Sequence, residues 1–268
     1  MPRWARLVAC VLVSAVFVLP LWAMLVVALT PRELLFDGGA GLWPSAWTLQ
    51  NFTDLASSFP VWRWFGNALL VAGLTTVLSV TVNLAAGFAL AKLRFRGRTV
   101  VFVLVLSTLM VPTQAVMIPQ FELVARLGLV GLFWAVILPS ASTALGVFLA
   151  RQFFVSVPDE LLDAARIDGC STLATLWHVV LPLARPLVAV MSLLAFMTQW
   201  NDFLWPLIVL RDPDLYTLPV ALRFLQGQFD TDYGGLMAMA LLASVPLLVV
   251  FVALQRFFVA GFARSGVK

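Results

Sequence analysis

Charged side chains are scarce in this chain: they make up 11% of its 268 residues, against 62% hydrophobic residues and a mean hydropathy of +1.00. A soluble domain usually carries about 25% charged residues. So few charges cannot cover a surface that faces water, which excludes an ordinary soluble protein. The net charge of +4 is small. Its basic residues are scattered over short segments, so they do not form a nucleic-acid-binding patch.

The residue types that build catalytic and metal sites are also scarce. The one histidine, His178, has no cysteine or second histidine nearby that would complete a metal site. Of the two cysteines, Cys10 lies in a long apolar run and Cys170 in a polar loop, so we do not expect them to meet in a disulfide. The sequence has no Gly-x4-Gly-Lys-Ser/Thr loop to hold phosphates. We therefore expect the chain to hydrolyse no ATP and to hold no cofactor itself.

What the chain does have is a series of long apolar runs. A helix of about 20 apolar residues crosses a bilayer core of about 30 Å, and helices satisfy their own backbone in lipid. The first run follows Arg3 and Arg6 and is too long for a signal peptide, so we interpret it as a retained helix. The sequence thus predicts an all-α membrane protein, one transmembrane domain over 1–268. The six predicted helices span about 6–29, 65–91, 99–122, 130–154, 183–210 and 234–258.

The distribution of basic residues predicts the orientation. With the N-terminus inside, the outer segments hold only five of the seventeen Lys and Arg residues, and all the others lie in inner segments. Those five are Arg32, Arg63, Arg126, Arg211 and Arg223. Cytoplasmic loops carry an excess of Lys and Arg. We therefore predict both termini inside, which six helices satisfy, and interpret the basic turn 92–98 as an anchor of this topology.

The predicted inner loop at 155–182 has the most informative pattern. Ser156 or Asp159 is suited to cap a short helix, because acidic side chains favour a helix N-terminus. Gly169 is suited to end that helix in a left-handed conformation. A second helix is expected over 171–180, stopping at Pro182. The loop is therefore predicted to be two short helices joined by a glycine turn.

The spacing within this loop resembles a known family. The sequence has Asp163-Ala164-Ala165, three residues, Gly169, nine residues, Val179, one residue and Leu181-Pro182. Binding-protein-dependent ABC permeases carry an "EAA" loop with this spacing, in which Glu replaces Asp and Ile replaces Val. The resemblance implies a cytoplasmic coupling helix that docks into a cleft of an ATPase subunit. The residues to which it assigns that role are Glu160, Asp163, Ala164, Ala165, Asp168, Gly169 and Pro182.

Four further stretches resemble the carbohydrate branch of that family, and within it the second permease of the maltose and glycerol-phosphate type. The resemblance extends from about Trp62 to Lys268, with the domain core at about 62–260. The four stretches are 110–119, 200–207, 216–219 and the tail 255–268. Together they favour a sugar or sugar-like solute, of the oligosaccharide, disaccharide or glycerol-phosphate kind, over amino acids, peptides or metals.

Polar side chains inside predicted helices are candidates for the translocation path. Polar and charged groups are costly at bilayer depth and should face protein or water. Two alternatives stay open, since such residues also serve as contacts between helices or in an interfacial belt. The candidates are Asn83, Gln114, Gln199, Asn201 and Asp202.

The resemblance implies the fold of a type I ABC importer permease, N-in and C-in, in a bacterial inner membrane. It further implies a second homologous permease subunit, two ATPase subunits that bind the ATP and Mg²⁺, an extracytoplasmic solute-binding protein, and transport by alternating access. The alternatives from the residues themselves are a secondary transporter or channel, which would need ion-coupling residues or an inverted repeat, and a membrane-embedded enzyme. We find neither feature clearly for the first, and no polar cluster around His178 for the second.

Overall fold

A computed structural model describes residues 2–35, 41, 43–44, 46–225 and 232–265, the side chains of 224 and 258–265 excepted. The regular structure within these ranges is helical, in agreement with the predicted all-α class. Short 3-10 turns lie at Arg32–Leu34, Thr108–Met110 and Pro213–Leu215, and a π-helical turn lies at Thr175–Val180. The α-helices are α1 Arg3–Ala28, α2 Gln50–Ser58, α3 Val61–Lys92, α4 Arg98–Ser107, α5 Thr113–Arg126, α6 Trp134–Ile137, α7 Ala144–Val155, α8 Asp159–Ile167, α9 Thr172–Ala174, α10 Leu181–Leu183, α11 Arg185–Trp200, α12 Leu204–Val209, α13 Leu218–Leu225 and α14 Tyr233–Ser265.

Three of these helices, α1, α3 and α14, are long and apolar enough to cross a membrane. Two bent pairs, each counted as one span, raise the number to five within the described residues. The three long helices confirm the predicted ones at 6–29, 65–91 and 234–258, although α14 continues past the predicted end at 258 to Ser265. Helix α1 leaves apolar side chains open, and Phe17 is 76% exposed, as expected of a surface that faces lipid.

The prediction of one continuous helix over 99–122 is wrong. Helix α4 with its 3-10 extension to Met110 meets α5 at 107° across a break of at most four residues. Pro112 stands at the break, and Val111 before it is extended, with φ −90° and ψ 118°. A proline disfavours the helical conformation of the residue that precedes it, which explains why the apolar run bends here.

The helices predicted over 130–154 and 183–210 are also interrupted. In the first, α6 ends at Ile137, and α7 starts anew behind Thr143, whose hydroxyl accepts a hydrogen bond from the Gly146 N–H. In the second, α11 ends at Trp200 and α12 begins at Leu204. The short helices α6 and α12 bond to each other, since the Trp205 indole donates to the Ala135 carbonyl at 2.9 Å. Apolarity alone predicts an unbroken series of backbone hydrogen bonds over each run. At the interruptions, the Thr143 cap and the bond from Trp205 to Ala135 are present instead.

The chain divides into two compact units, which we describe separately. The first comprises residues 1–67 and 216–248. Inside it, the buried Asn51 side chain donates to the carbonyls of Ala28 at 2.8 Å and Thr30 at 2.9 Å. Gly234 packs against the same amide, and a Cβ there would lie 2.5 Å from the Asn51 Oδ1 atom. One asparagine therefore joins the end of α1 to the segments that follow.

The second unit comprises residues 68–215 and 249–268 and contains both candidate sites. Its apolar core joins α3, α7, α8, the π turn and α11. A Cβ at Gly87 would lie 2.4 Å from the Ala150 Cβ, so α3 and α7 approach closely only because residue 87 lacks a side chain. The buried core residues are Val80, Leu84, Phe88, Ala150, Phe154, Val157, Leu162, Leu176, Val180, Ala184 and Met191.

Candidate functional site

The first candidate site is the elbow, which we define as residues 158–184. Helix α8 forms its first arm, Gly169 turns the chain with φ +79°, and a second helical arm runs over Thr172–Leu183. The second arm meets α11 at 89°. The predicted arrangement of two short helices around a glycine turn is confirmed.

The helix ends of the elbow differ from the prediction. Neither Ser156 nor Asp159 caps α8, because the N-cap position is Pro158 and no side chain bonds there. Ser156 instead donates to the Phe153 carbonyl at 2.7 Å. Pro182 does not stop the second arm, which continues to Leu183. The π turn directly before Pro182 changes the register of the hydrogen-bond ladder where proline supplies no N–H.

Each arm of the elbow buries apolar side chains in the core of its unit, and a leucine of each arm is among them. Leu162 from the first arm is 5% exposed and Leu176 from the second is 4% exposed. Both belong to the cluster of Phe88 and Phe154, whose rings meet edge to face at 5.6 Å. Burial of a leucine side chain stabilises a fold by about 1.5–3 kcal/mol. The elbow therefore packs against helices α3 and α7 and has one buried face and one exposed face.

The exposed face of the elbow, which points away from the core, carries most of the predicted coupling residues. Ile167 is 87% exposed and Leu173 is 63% exposed. Asp163 is exposed and pairs with Arg166 at 2.7 Å along the same helix. Ala165 points inward and is 5% exposed. The exposed members of the predicted set are Glu160, Asp163, Ala164, Asp168, Gly169 and Pro182.

A lysine that was interpreted from the sequence as a topology anchor connects the elbow to α3. The Lys92 ammonium group donates to the Val157 carbonyl and to the Asp159 carboxylate, both at 2.6 Å. The Lys92 side chain is 9% exposed, whereas that of Asp159 is 75% exposed. The hydrogen bond and charge of Lys92 hold the pKa of Asp159 below its usual range. Residues 92 and 159 are far apart in the sequence, so no local pattern predicts this contact.

The second candidate site is the cavity, an open space of about 770 Å³ within the second unit. Four of the five predicted path residues line it: Asn83, Gln114, Gln199 and Asp202. Asn201 does not, and its amide donates to the Met197 carbonyl at 2.7 Å. The polar lining residues are Thr75, Ser79, Asn83, Thr108, Thr113, Gln114, Gln120, Ser140, Ser142, Thr143, Thr198, Gln199 and Asp202.

Asn83 both lines the cavity and joins its walls. Its Oδ1 accepts hydrogen bonds from the Ser142 hydroxyl and the Thr143 N–H, both at 3.1 Å. Its Nδ2 donates to the Ser79 hydroxyl at 3.0 Å. Gly146 packs on this amide so closely that a Cβ would lie 2.3 Å from Nδ2. The contact between helices, which the sequence left open as an alternative for Asn83, is therefore present.

Two buried polar atoms on the cavity wall have no hydrogen-bond partner. These are the Thr75 hydroxyl and the Gln199 Nε2 atom, in side chains that are 2% and 7% exposed. Asp202 is near enough to interact with Gln199, although without good hydrogen-bond geometry to Nε2. Sequence reasoning missed Thr75. The signal was present, since Thr75, Ser79 and Asn83 recur every four residues on one face of an apolar helix.

The described residues contain no group of three or more His, Cys, Asp or Glu side chains placed to hold a metal ion. The cavity instead offers hydroxyls, carboxamides and one carboxylate. The elbow offers small, apolar and acidic groups on a rigid support. In chemical terms, the cavity is suited to hydrogen bonding with a small polar molecule and the elbow to contact with another protein.

Residues 83–264 match the family described as "Binding-protein-dependent transport system inner membrane component". The chain is 37% identical over 268 residues to "Arabinooligosaccharides transport system permease protein AraQ" of Halalkalibacterium halodurans, covering 99% of this chain and 96% of that protein. It is 34% identical to the protein of the same name from Bacillus subtilis, over 96% and 92% of the two chains. It is 32% identical to "sn-glycerol-3-phosphate transport system permease protein UgpE" of Shigella flexneri, over 94% and 92%.

A solved structure has the same fold. It is a chain of a bacterial ABC transporter involved in the import of the acidic polysaccharide alginate, with a TM-score of 0.85. The match covers 96% of this chain and 99% of that chain, at 22% sequence identity. The likeness of the two backbones therefore extends over nearly all of both chains.

Proposed function

The chain belongs to the family of binding-protein-dependent transport system inner membrane components, and we propose that it is a permease subunit of an ATP-driven importer for a sugar or sugar-like solute. The relatives named for arabinooligosaccharides and glycerol phosphate support this solute class. Their names describe transport subunits, so the chain is a transport protein of the inner membrane and not an enzyme.

We propose that the chain crosses the membrane six times with both termini in the cytoplasm. The three long helices and the bent pair Arg98–Met110 with Thr113–Arg126 supply four of these spans. The fifth is α11 with α12, which begins where the elbow ends. The sixth is the segment 130–155, in which the apolar helix Ala144–Val155 follows α6. The excess of basic residues in the inner segments supports the orientation. It places the elbow on the cytoplasmic side.

The elbow is the proposed contact for the ATPase subunit. Its exposed face presents Ile167 and the exposed members of the predicted set, while Leu162 and Leu176 pack it against the core. A support held in this way transmits displacement to α3, α7 and α11. ATP and Mg²⁺ bind to two such ATPase subunits and not to this chain, whose sequence has no phosphate-binding loop.

The cavity is the proposed part of the translocation path. It works together with a second homologous permease and an extracytoplasmic solute-binding protein. The importer alternates between inward-open and outward-open states, and ATP and the loaded binding protein bias that equilibrium through their different affinities for the two states.

The observation that carries this proposal is family membership over most of the chain combined with the exposed, rigidly supported elbow. The test is co-purification from native membranes and ATP-dependent uptake in proteoliposomes. We expect an ATPase and a second permease to purify with this chain, and uptake to require hydrolysable ATP. Uptake that proceeds without ATP, in a preparation free of ATPase, would instead establish a secondary transporter or channel.

A further inference from the structure

We propose that the solute accepted by the cavity carries no negative charge and is rich in hydroxyl groups, as a neutral oligosaccharide is. This inference rests on the proposed transport function and specifies its solute. The relatives do not decide the question, because arabinooligosaccharides are neutral and glycerol phosphate is an anion. The decision comes from the chemistry of the cavity wall.

The wall has no side chain that would attract an anion. Among the described residues that line the cavity there is no Lys, Arg or His. Sites that recognise phosphate or carboxylate usually use such cations, above all arginine with its bidentate geometry. Among the described residues of the cavity wall, the one ionisable side chain is that of Asp202, which is partly buried. In a low-dielectric space the Asp202 carboxylate repels a second negative charge, whereas it accepts hydrogen bonds from neutral hydroxyls.

Helix N-termini can also bind anions through their free N–H groups, but two N–H groups at the start of α7 are already occupied. At the start of α7, the Thr143 N–H donates to Asn83 and the Gly146 N–H donates to the Thr143 hydroxyl. These donors are satisfied by oxygens of the chain itself and are not available to a phosphate group.

The two unpartnered atoms on the wall favour the same kind of ligand. The Gln199 Nε2 atom only donates hydrogen bonds, and the Thr75 hydroxyl both donates and accepts. Buried polar atoms are usually paired, so a ligand that pairs with both is favoured. A sugar hydroxyl serves as donor and as acceptor and therefore suits each atom.

The test is ATP-driven uptake of two labelled trisaccharides by the complete complex reconstituted with its ATPase and binding-protein subunits. The probes share one size and differ at one terminal group, which is a hydroxyl or a uronate. We expect the wild-type complex to take up the neutral probe at least about ten-fold faster than the uronate, since like charges without a partner are strongly rejected. Asp202→Asn should narrow that ratio several-fold.

The variants isolate the contribution of this chain, because the binding protein stays the same in every preparation. Gln199→Leu and Thr75→Val should slow uptake of the neutral probe several-fold, and Thr75→Ser should restore it. Asp54→Asn removes an exposed carboxylate of α2 outside the cavity lining and is the matched control, expected to behave as wild type. Co-purification of the ATPase verifies that each variant assembles.

Wild-type uptake of the uronate as fast as the neutral probe would overturn the inference, and so would a selectivity ratio that Asp202→Asn leaves unchanged. Either result with uptake still dependent on ATP leaves the transport function in place. Uptake of both probes that does not depend on ATP contradicts the proposed ATP-driven importer itself.

Discussion

The elbow and the cavity belong to the same compact unit but are built in opposite ways. The elbow is one continuous segment, with one face packed into the core by leucines and the opposite face exposed. The cavity is assembled from separate helices between residues 75 and 205, and its polar groups are individually unremarkable in the sequence. A site on one segment is recognisable by spacing, and a site between segments depends on how the helices break and pack. The two sites should therefore respond differently to mutation.

The largest effect should come from Gly169→Asp in the elbow. Residue 169 has φ +79°, a conformation that costs a side chain about 1–2 kcal/mol, and the substitution adds a charge to the proposed ATPase contact. We expect loss of ATPase co-purification and of transport. Asn tolerates this conformation best among the other residues, so Gly169→Asn should retain part of the function.

Gly128→Asp is the matched control for this prediction. Gly128 also has a positive φ, +69°, and open space around its Cβ position, but it lies outside the elbow. We expect this variant to assemble with the ATPase as the wild type does. Equal loss in both variants would mean that strain in any left-handed turn, and not the elbow contact, causes the defect.

The next largest effect should come from Gly87→Val, which acts on both sites together. A side chain there meets Ala150 and the backbone of Arg151 at less than 3 Å, so α3 and α7 must separate. Overpacking of this kind costs about 1–3 kcal/mol. We expect a lower thermal midpoint of the purified complex, with losses in ATPase coupling and in solute uptake. Gly73→Val has open space around it and should leave the midpoint unchanged.

A smaller and more selective effect is expected from Lys92→Met. The substitution removes the bonds to the Val157 carbonyl and to Asp159 but leaves the leucine anchors in place. An ion pair with one exposed partner is worth about 0–1 kcal/mol, so the complex should still assemble. We expect ATPase stimulation by the loaded binding protein to fall several-fold with unchanged selectivity among solutes. Arg96→Met, an exposed site in the same basic turn, is the control.

The smallest effect concerns pH. Because Lys92 lowers the pKa of Asp159, this carboxylate stabilises the elbow above its unfolded pKa and loses that contribution only as pH falls through the lowered value, below 3.8. Hydrogen exchange at the start of α8 should therefore be pH-independent between pH 5.5 and 8, once corrected for intrinsic rates. A rise in opening within that interval would contradict the assignment of the pair.

The two-helix shape of the elbow could be predicted from the sequence because the residues that determine it are close together in the chain. The spacing from Asp163 to Pro182 predicted two arms, and Gly169 takes the left-handed conformation that a turn needs. The contact of Lys92 with Asp159 was not predictable, since it depends on where α3 ends relative to α8. Similarly, the capping expectation failed because Pro158 already begins the helix in the position that a capping side chain would occupy.

For the cavity, the sequence predicted four of the polar residues that line it but not how they meet. Asn83, Gln114, Gln199 and Asp202 converge because α4 and α5 bend at Pro112 and α11 breaks before α12. Apolarity predicts a straight span over such runs, while the proline and the Trp205 bond to Ala135 decide otherwise. The last three residues of the tail stretch used for the family resemblance, 266–268, lie outside the described residues.

The most direct test of the central claim is the accessibility and crosslinking of residue 167, at the exposed tip of the elbow. In a chain with Cys10 and Cys170 replaced by serine, a single Ile167→Cys thiol can be challenged with a membrane-impermeant maleimide and with a short bifunctional crosslinker. The account predicts labelling in inverted vesicles but not in intact cells, and a crosslink to an ATPase subunit. Labelling from outside intact cells, or no crosslink to any nucleotide-hydrolysing subunit, would contradict it.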